Sequence, residues 1–208
     1  MSSDTNLIFT IGHSTHSAET FLSLLRRHDI TALADVRSSP FSRFNPQFNK
    51  QALKLFLKEH SISYAFLGKE LGARSDDPSC YQHGRVQYSR LAKTSLFQAG
   101  LERVLRGSDR FRLALMCAEK EPLDCHRTLL VARALAERGQ KVMHIHAEGH
   151  LESHEDAMER LLGLTGVPKT DLFRSKEELL KEALQKQEAK VAYVDEKQAA
   201  TILREERK

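Results

Sequence analysis

The sequence predicts an α/β fold: a single three-layer domain with a mainly parallel sheet and helices on both faces, plus a C-terminal helical extension. Three observations carry this. Short apolar runs rich in β-formers alternate with stretches of 3.6-residue apolar spacing, the pattern of βαβ units. The 208 residues suit one domain with an appendage. Hydrophobic residues make up 40% and charged residues 29%, enough apolar material for one core and unlike a disordered or collagenous chain.

The strands are expected, in order, at Leu7–Ile11 (LIFTI), Thr31–Val36 (TALADV), Ile62–Leu67 (ISYAFL), Phe111–Met116 (FRLALM) and Lys141–Ile145 (KVMHI). After the first, Ser17 suits a helix cap and Phe21, Leu22, Leu24 and Leu25 form an apolar stripe; after the second, Asn49 precedes Leu53, Leu55, Phe56 and Leu57. Leu91 through Leu105 reads as the third helix, and Leu129, Leu130, Ala132 and Leu135 as the fourth, ending at Gly139. Ser153 is a cap for a further turn. The pattern changes after Gly163, which divides the chain into a domain over residues 1–163 and a charged helical extension over 164–208. In SKEELLKEALQKQEAK, the Glu177/Lys181 and Glu182/Lys186 spacings suit exposed i,i+4 pairs, while Leu179, Leu180 and Leu184 can dock on the core. From Leu164 onward ten Lys or Arg stand against nine Asp or Glu, too even for a nucleic-acid arm, and the charged end reads as a mobile tail.

Composition also bounds function. No run approaches a membrane span and the first residues lack a basic segment before an apolar one, so neither membrane insertion nor secretion is expected. Three cysteines cannot all pair within one chain, which points to free thiols and a cytoplasmic location. Lys plus Arg number 32 and Asp plus Glu 28, for a net charge of +4, which permits an anionic partner without demanding one. The sequence carries no signal for oligomeric state.

In open parallel sheets ligands bind beyond the carboxyl ends of the strands. The residues following each expected strand are polar and specific: Gly12-His13-Ser14, Asp35-Val36-Arg37-Ser38-Ser39-Pro40, Gly68 to Arg74, Cys117-Ala118-Glu119 followed by EPLDCHR, and His144 to His150. Asp124 is a cap candidate that places Cys125, His126 and Arg127 in the first turn of a helix, where an anion fits and a thiol is acidified. Glu119 can act as a general base or orient an arginine, or equally serve a helix cap or salt bridge, while Cys117 reads first as an inert core residue and second as a functional thiol. The loop RSSPFSRFNPQFN sets Arg37 and Arg43 among Phe41, Phe44 and Phe48, a composition suited to phosphate and base stacking or, equally, to a loop anchored on the core. The stretch after strand three, with Arg74, Arg85, Arg90, Tyr81 and Tyr88, can serve as a lid. No phosphate-binding glycine loop occurs, which disfavours ATP hydrolysis and dinucleotide redox chemistry. No short Cys-x2-Cys or His-Glu-x-x-His pattern occurs either; His13, Cys117, Cys125 and His126 could converge, but neither a metal nor another cofactor is expected.

TIGHST (Thr10–Thr15), DVRSSPFSR (Asp35–Arg43), FLGKELGAR (Phe66–Arg74) and CAEKEPLDCHR (Cys117–Arg127) together closely resemble the domain of unknown function 488 family. The resemblance spans about Leu7 to Leu162 and leaves the extension outside. It implies one compact α/β domain of soluble, mostly bacterial proteins, with these loops at one site. Where the family often has two glycines before the arginine, this chain has Gly72-Ala73-Arg74.

The residues therefore support an enzyme, a hydrolase or group transferase without a redox cofactor, acting on a small anionic, nucleotide-like or nucleic-acid-derived ligand. His13, Asp35, Glu119, Cys117 and Cys125 are its catalytic candidates; Ser14, Arg37, Arg43, Phe44, Arg74, His126 and Arg127 are its binding candidates. A thiol enzyme for sulfur transfer or peroxide chemistry and a non-catalytic nucleic-acid-binding module are the alternatives.

Overall fold

The structure, a computed structural model, describes residues 7–196. Strand β1 (Ile8–Gly12) is buried throughout and leads into α1 (Ala18–Arg27), where the Ser17 side chain accepts the Thr20 N–H and Phe21, Leu22, Leu24 and Leu25 form the buried stripe. β2 (Ala32–Asp35), α2 (Lys50–Glu59), β3 (Ser63–Phe66) and the short α3 (Gly68–Leu71) follow. A two-residue-per-arm hairpin comes next, β4 (Tyr81–Gln82) and β5 (Arg85–Val86), then α4 (Tyr88–Leu91) and α5 (Ser95–Ser108). The apolar spacing from Leu91 to Leu105 is thus split, because the Thr94 side chain accepts the Phe97 N–H and starts a new helix there.

β6 (Leu113–Cys117) runs into a loop and then a π-helical stretch (Arg127–Ala132) that continues as α6 (Arg133–Ala136). Asp124 does not cap this helix. It ends a 3-10 turn, Pro122–Asp124, whose cap is Glu121, and its Oδ1 accepts a hydrogen bond from Gln187 Nε2 at 2.9 Å. Just past α6, Gly139 takes φ +81°, the left-handed conformation glycine adopts at little cost. β7 (Val142–Ile145), β8 (Leu151–Ser153), α7 (His154–Leu164), capped by Ser153, and α8 (Lys176–Val191) complete the described chain.

The sheet order is β3-β2-β6-β1-β7-β8, parallel except for β8, which runs antiparallel on the β7 edge. All five expected strands lie in it. Phe9, Ile11 and Leu33 pack with α1 and α2 residues on one face, while Ile8, Ala34, Leu115 and Val142 pack with α5, α6, α7 and α8 residues on the other. The chain moves one way along the sheet through α1 and α2 and the other way through α5 and α6, so opposite faces are what right-handed crossovers require. The consequence is a switch point between β1 and β6: the chain leaves β1 toward one face and one edge, and leaves β6 toward the other face and the other edge.

The extension is part of this body. Ser175 and Glu178 form a reciprocal capping box at the start of α8, and Leu179, Ala183 and Leu184 are buried in the larger core, with Leu180 packed at its edge. Beyond α8 the Tyr193 carbonyl accepts the Val86 N–H at 3.0 Å and the Asp195 N–H reaches Gly84 O at 2.7 Å, tying the chain to the β4–β5 hairpin. The charged end that reads as a mobile tail falls mostly after residue 196, outside the described residues.

Candidate active site

Gly12 ends β1, and its lack of a side chain lets the Glu119 loop close over the strand: a Cβ there would stand 1.9 Å from the Glu119 carbonyl oxygen. The contact is held by backbone bonds from His13 N to Cys117 O and from Ser14 N to Ala118 O, both 2.9 Å, with Ser14 at φ 49°. Two loops separated by about a hundred residues are therefore fixed side by side at the switch point.

Under one side of this junction lies a buried polar cluster. Asp35 accepts the Arg37 backbone N–H at 3.1 Å, Arg37 Nε at 2.9 Å and Arg37 Nη2 at 2.7 Å, and the Tyr64 hydroxyl donates to it at 2.8 Å. Arg37 Nη2 also donates to Phe48 O at 2.7 Å, and Nη1 to His13 Nε2 at 3.1 Å. His13 donates through Nδ1 to Ser14 O at 2.8 Å and stacks on Phe48, so both ring nitrogens are assigned in the neutral form. Burial first, and the Arg37 charge second, lower its pKa to about 4. His13 is thus a neutral prop for Arg37 at neutral pH. Tyr64, which completes the Asp35 cluster, gives no signal in the sequence beyond its place in a strand.

The second cluster joins the end of β6 to the start of the π-helical stretch. His126 donates from Nε2 to Val36 O at 3.0 Å, which turns Nδ1 toward both thiols, 3.6 Å from Cys117 Sγ and 3.8 Å from Cys125 Sγ. Cys125 Sγ lies 2.8 Å from Glu119 Oε2, and the donor atoms of Cys117, Glu119, Cys125 and His126 all lie within 4.8 Å of one another. Burial by itself would raise the Cys125 thiol, but a hydrogen bond from Cys117 and the charges of Arg127 and His126 outweigh it and hold this thiol well below the ordinary range. Burial and the Cys125 sulfur raise Cys117, and burial with the charge on Cys125 raises Glu119. One proton is shared between Cys125 and Glu119 at 2.8 Å, because two adjacent anions repel. Burial opposes a charge on His126 but the neighbouring Cys125 sulfur outweighs it, raising the imidazole.

Above these groups opens a cleft of about 250 Å³ lined by Arg37, Ser38, Arg74, Cys117, Glu119 and His126, among others. Glu119 is open to it while its carboxyl reaches back to Cys125. Val191 and Tyr193 form part of the wall, and the Arg74 guanidinium lies 4.6 Å over the Tyr193 ring. The extension therefore contributes to the site, a role that VAYV in a charged tail does not announce.

Of the residues expected from sequence, His13, Asp35, Arg37, Cys117, Glu119, Cys125, His126 and Arg127 come together at this junction, and Ser14 braces it through its backbone. Two of the arginines are committed elsewhere than to an anion. Arg127 is fully buried, donating to Glu119 O at 2.7 Å and Lys120 O at 3.2 Å, so it organises the loop from below. Arg37 spends four of its five N–H donors within its own cluster. Arg43 and Phe44 are exposed and line no part of the cleft, Phe44 at 93%; of the loop's phenylalanines, Phe48 is the one anchored in the core.

Among the described residues no helix is long and apolar enough to cross a membrane. Neither the curated proteins nor the solved structures show a match to this chain. A family model does match, over residues 17–134, which takes in the Asp35–Arg43, Phe66–Arg74 and Cys117–Arg127 motifs and stops before α7 and α8. Since that match covers more than half of the 208 residues, the chain belongs to the family described as domain of unknown function DUF488.

Proposed function

We propose that this protein is an enzyme, a hydrolase or group transferase, that acts on a small anionic substrate in the switch-point cleft. The observation that carries the reading is the convergence of Cys117, Glu119, Cys125 and His126 directly beneath an open cleft at the carboxyl edge of the sheet. Arg74 at the rim supplies the attraction for an anion, and the Ser38 and Ser39 segment borders the same space. Glu119 is the group placed to exchange a proton with bound substrate, since it alone of the four is exposed. The volume of about 250 Å³ suits a compact phosphate- or carboxylate-bearing group.

The test is ligand-induced thermal stabilisation by inorganic phosphate, phosphomonoesters and short carboxylates, followed by turnover assays on the compounds that bind. Arg74→Ala should weaken binding. Glu119→Gln should keep the stabilisation and lose about 100-fold or more of the turnover, the scale of a general acid–base group. Full-rate turnover by Glu119→Gln, or no anion that binds, overturns the reading.

A second reading has its own support. Phe41 and Phe44 stand 67% and 93% exposed on either side of exposed Arg43, an arrangement suited to stacking single-stranded nucleic acid outside the cleft. Binding of a short oligonucleotide that falls steeply with salt and drops in Phe44→Ala would favour it; no binding removes it.

A further inference from the structure

We infer that Cys117, Cys125 and His126 form a zinc site, with the fourth coordination position open to the cleft beside Glu119. The catalytic use of the ion rests on the enzyme reading above; the site itself stands on its geometry. Zinc–sulfur bonds of about 2.3 Å and zinc–nitrogen bonds of about 2.0–2.1 Å at tetrahedral angles put sulfur and nitrogen about 3.6 Å apart. His126 Nδ1 stands 3.6 Å from one sulfur and 3.8 Å from the other. The imidazole is oriented as a ligand needs: Nε2–H is bound to the Val36 carbonyl at 3.0 Å, which leaves the Nδ1 lone pair directed at the thiols.

The donor set decides the metal. Two thiolates and an imidazole select zinc over magnesium or calcium, and three protein ligands with a fourth position facing a cleft is the composition of a catalytic rather than a structural zinc site. Charge also balances. Two thiolates and the Glu119 carboxylate match the dipositive ion together with the buried Arg127 guanidinium, so the arginine does not exclude the cation. The ligands stand on firm elements, Cys117 ending a central strand and His126 entering the π-helical stretch, a form of helix frequent at functional sites. The sequence offers these three residues together with His13 as a possible convergence, but Cys117, Cys125 and His126 follow none of the short zinc spacings, so the sequence alone does not predict a metal.

The experiment uses the full chain, reduced and stripped with chelator, and titrates it with zinc alone and with cobalt alone, without substrate. One equivalent of zinc should bind with sub-micromolar affinity, and cobalt should give sulfur-to-metal charge-transfer absorption together with the intense visible bands of tetrahedral coordination. Cys117→Ser, Cys125→Ser and His126→Gln should each lose more than the roughly 100-fold that an outer-sphere change can cost. Cys80→Ala, which alters the buried cysteine outside the cluster, should bind as wild type. The cobalt spectrum of the unmutated protein serves if a variant fails to fold. No stoichiometric binding by the reduced wild type, as for a pair that functions as a disulfide, overturns the site; so does binding that survives loss of both thiols. Because substrate is absent, failure here leaves the enzyme reading standing, and failure to find turnover leaves a demonstrated metal site standing.

Discussion

Asp35→Asn is the sharpest perturbation of the framework beneath the cleft. The Asp35 carboxylate is fully buried, and its partner Arg37 has a side chain only 6% exposed, so the pair is held away from water. Four donors converge on the carboxylate: the backbone N–H, Nε and Nη2 of Arg37 and the Tyr64 hydroxyl. The amide removes the negative charge and turns an NH2 group toward a donor, which leaves a guanidinium buried without its counter-charge. Breaking such a pair from one side costs about 3–5 kcal/mol. For a chain of 208 residues, at about 2–4 °C per kcal/mol, the melting temperature should fall by about 6–20 °C. Tyr64→Phe removes one charge-assisted bond at a half-buried position and should cost no more than about 1.5–3 kcal/mol. The assay is guanidinium denaturation followed by circular dichroism, with wild type and variants at pH 7. The double variant Asp35→Leu/Arg37→Met distinguishes the cause, since replacing both charges by apolar groups should recover part of the loss. An Asp35→Asn protein within about 1 kcal/mol of wild type, or a double variant as unstable as the single one, refutes the reasoning.

Three further outcomes are expected. His154, 4% exposed, has its pKa lowered from 6.5 to about 4, first by burial, within a chain that runs from Thr10 through His144 at 2.8 and 3.2 Å. The unfolded chain therefore takes up a proton near pH 6.5 and the folded one only near 4, so stability is full above 6.5 and falls as pH drops through this window. His154 should account for about 2 kcal/mol of loss between pH 7 and pH 5, and His154→Gln should flatten the denaturation profile by that amount; an unchanged slope would falsify the assignment. Gly12→Ala forces a Cβ to within 1.9 Å of the Glu119 carbonyl oxygen and 3.2 Å of Arg127 Nη2; because backbone must move, stability and zinc affinity should fall together in calorimetry. Leu179→Ala, at a residue 1% exposed on α8, should cost about 2–5 kcal/mol in denaturation; a cost below about 0.5 kcal/mol, the scale of surface changes, would show that the extension is not part of the core.

The sequence by itself determined the local parts. Each of the five strands is a short run whose apolar content is set within a few residues, and Ser17 and Ser153 cap helices through bonds spanning three residues. These signals are local, so they survive without knowledge of neighbours. It also marked the loops that meet at the β1–β6 junction, because polar residues follow the buried strands β1, β2 and β6 there. What only the tertiary structure decided is everything that depends on partners distant in the chain. β1 and β6 are adjacent only because the strand order is β3-β2-β6-β1-β7-β8, and this brings Gly12 against Glu119. Asp124 reads as a cap but is drawn to Gln187 on α8, and the helix after it begins as a π-helical stretch. Arg37 and Arg127 carry the same sequence signature as Arg74, yet two are buried and bound to the fold while one is exposed at the cleft. A guanidinium's role follows from which acceptors surround it and how much water remains, and neither is a property of neighbouring residues in sequence. Tyr193, remote from every motif, reaches the cleft because α8 docks on the same core.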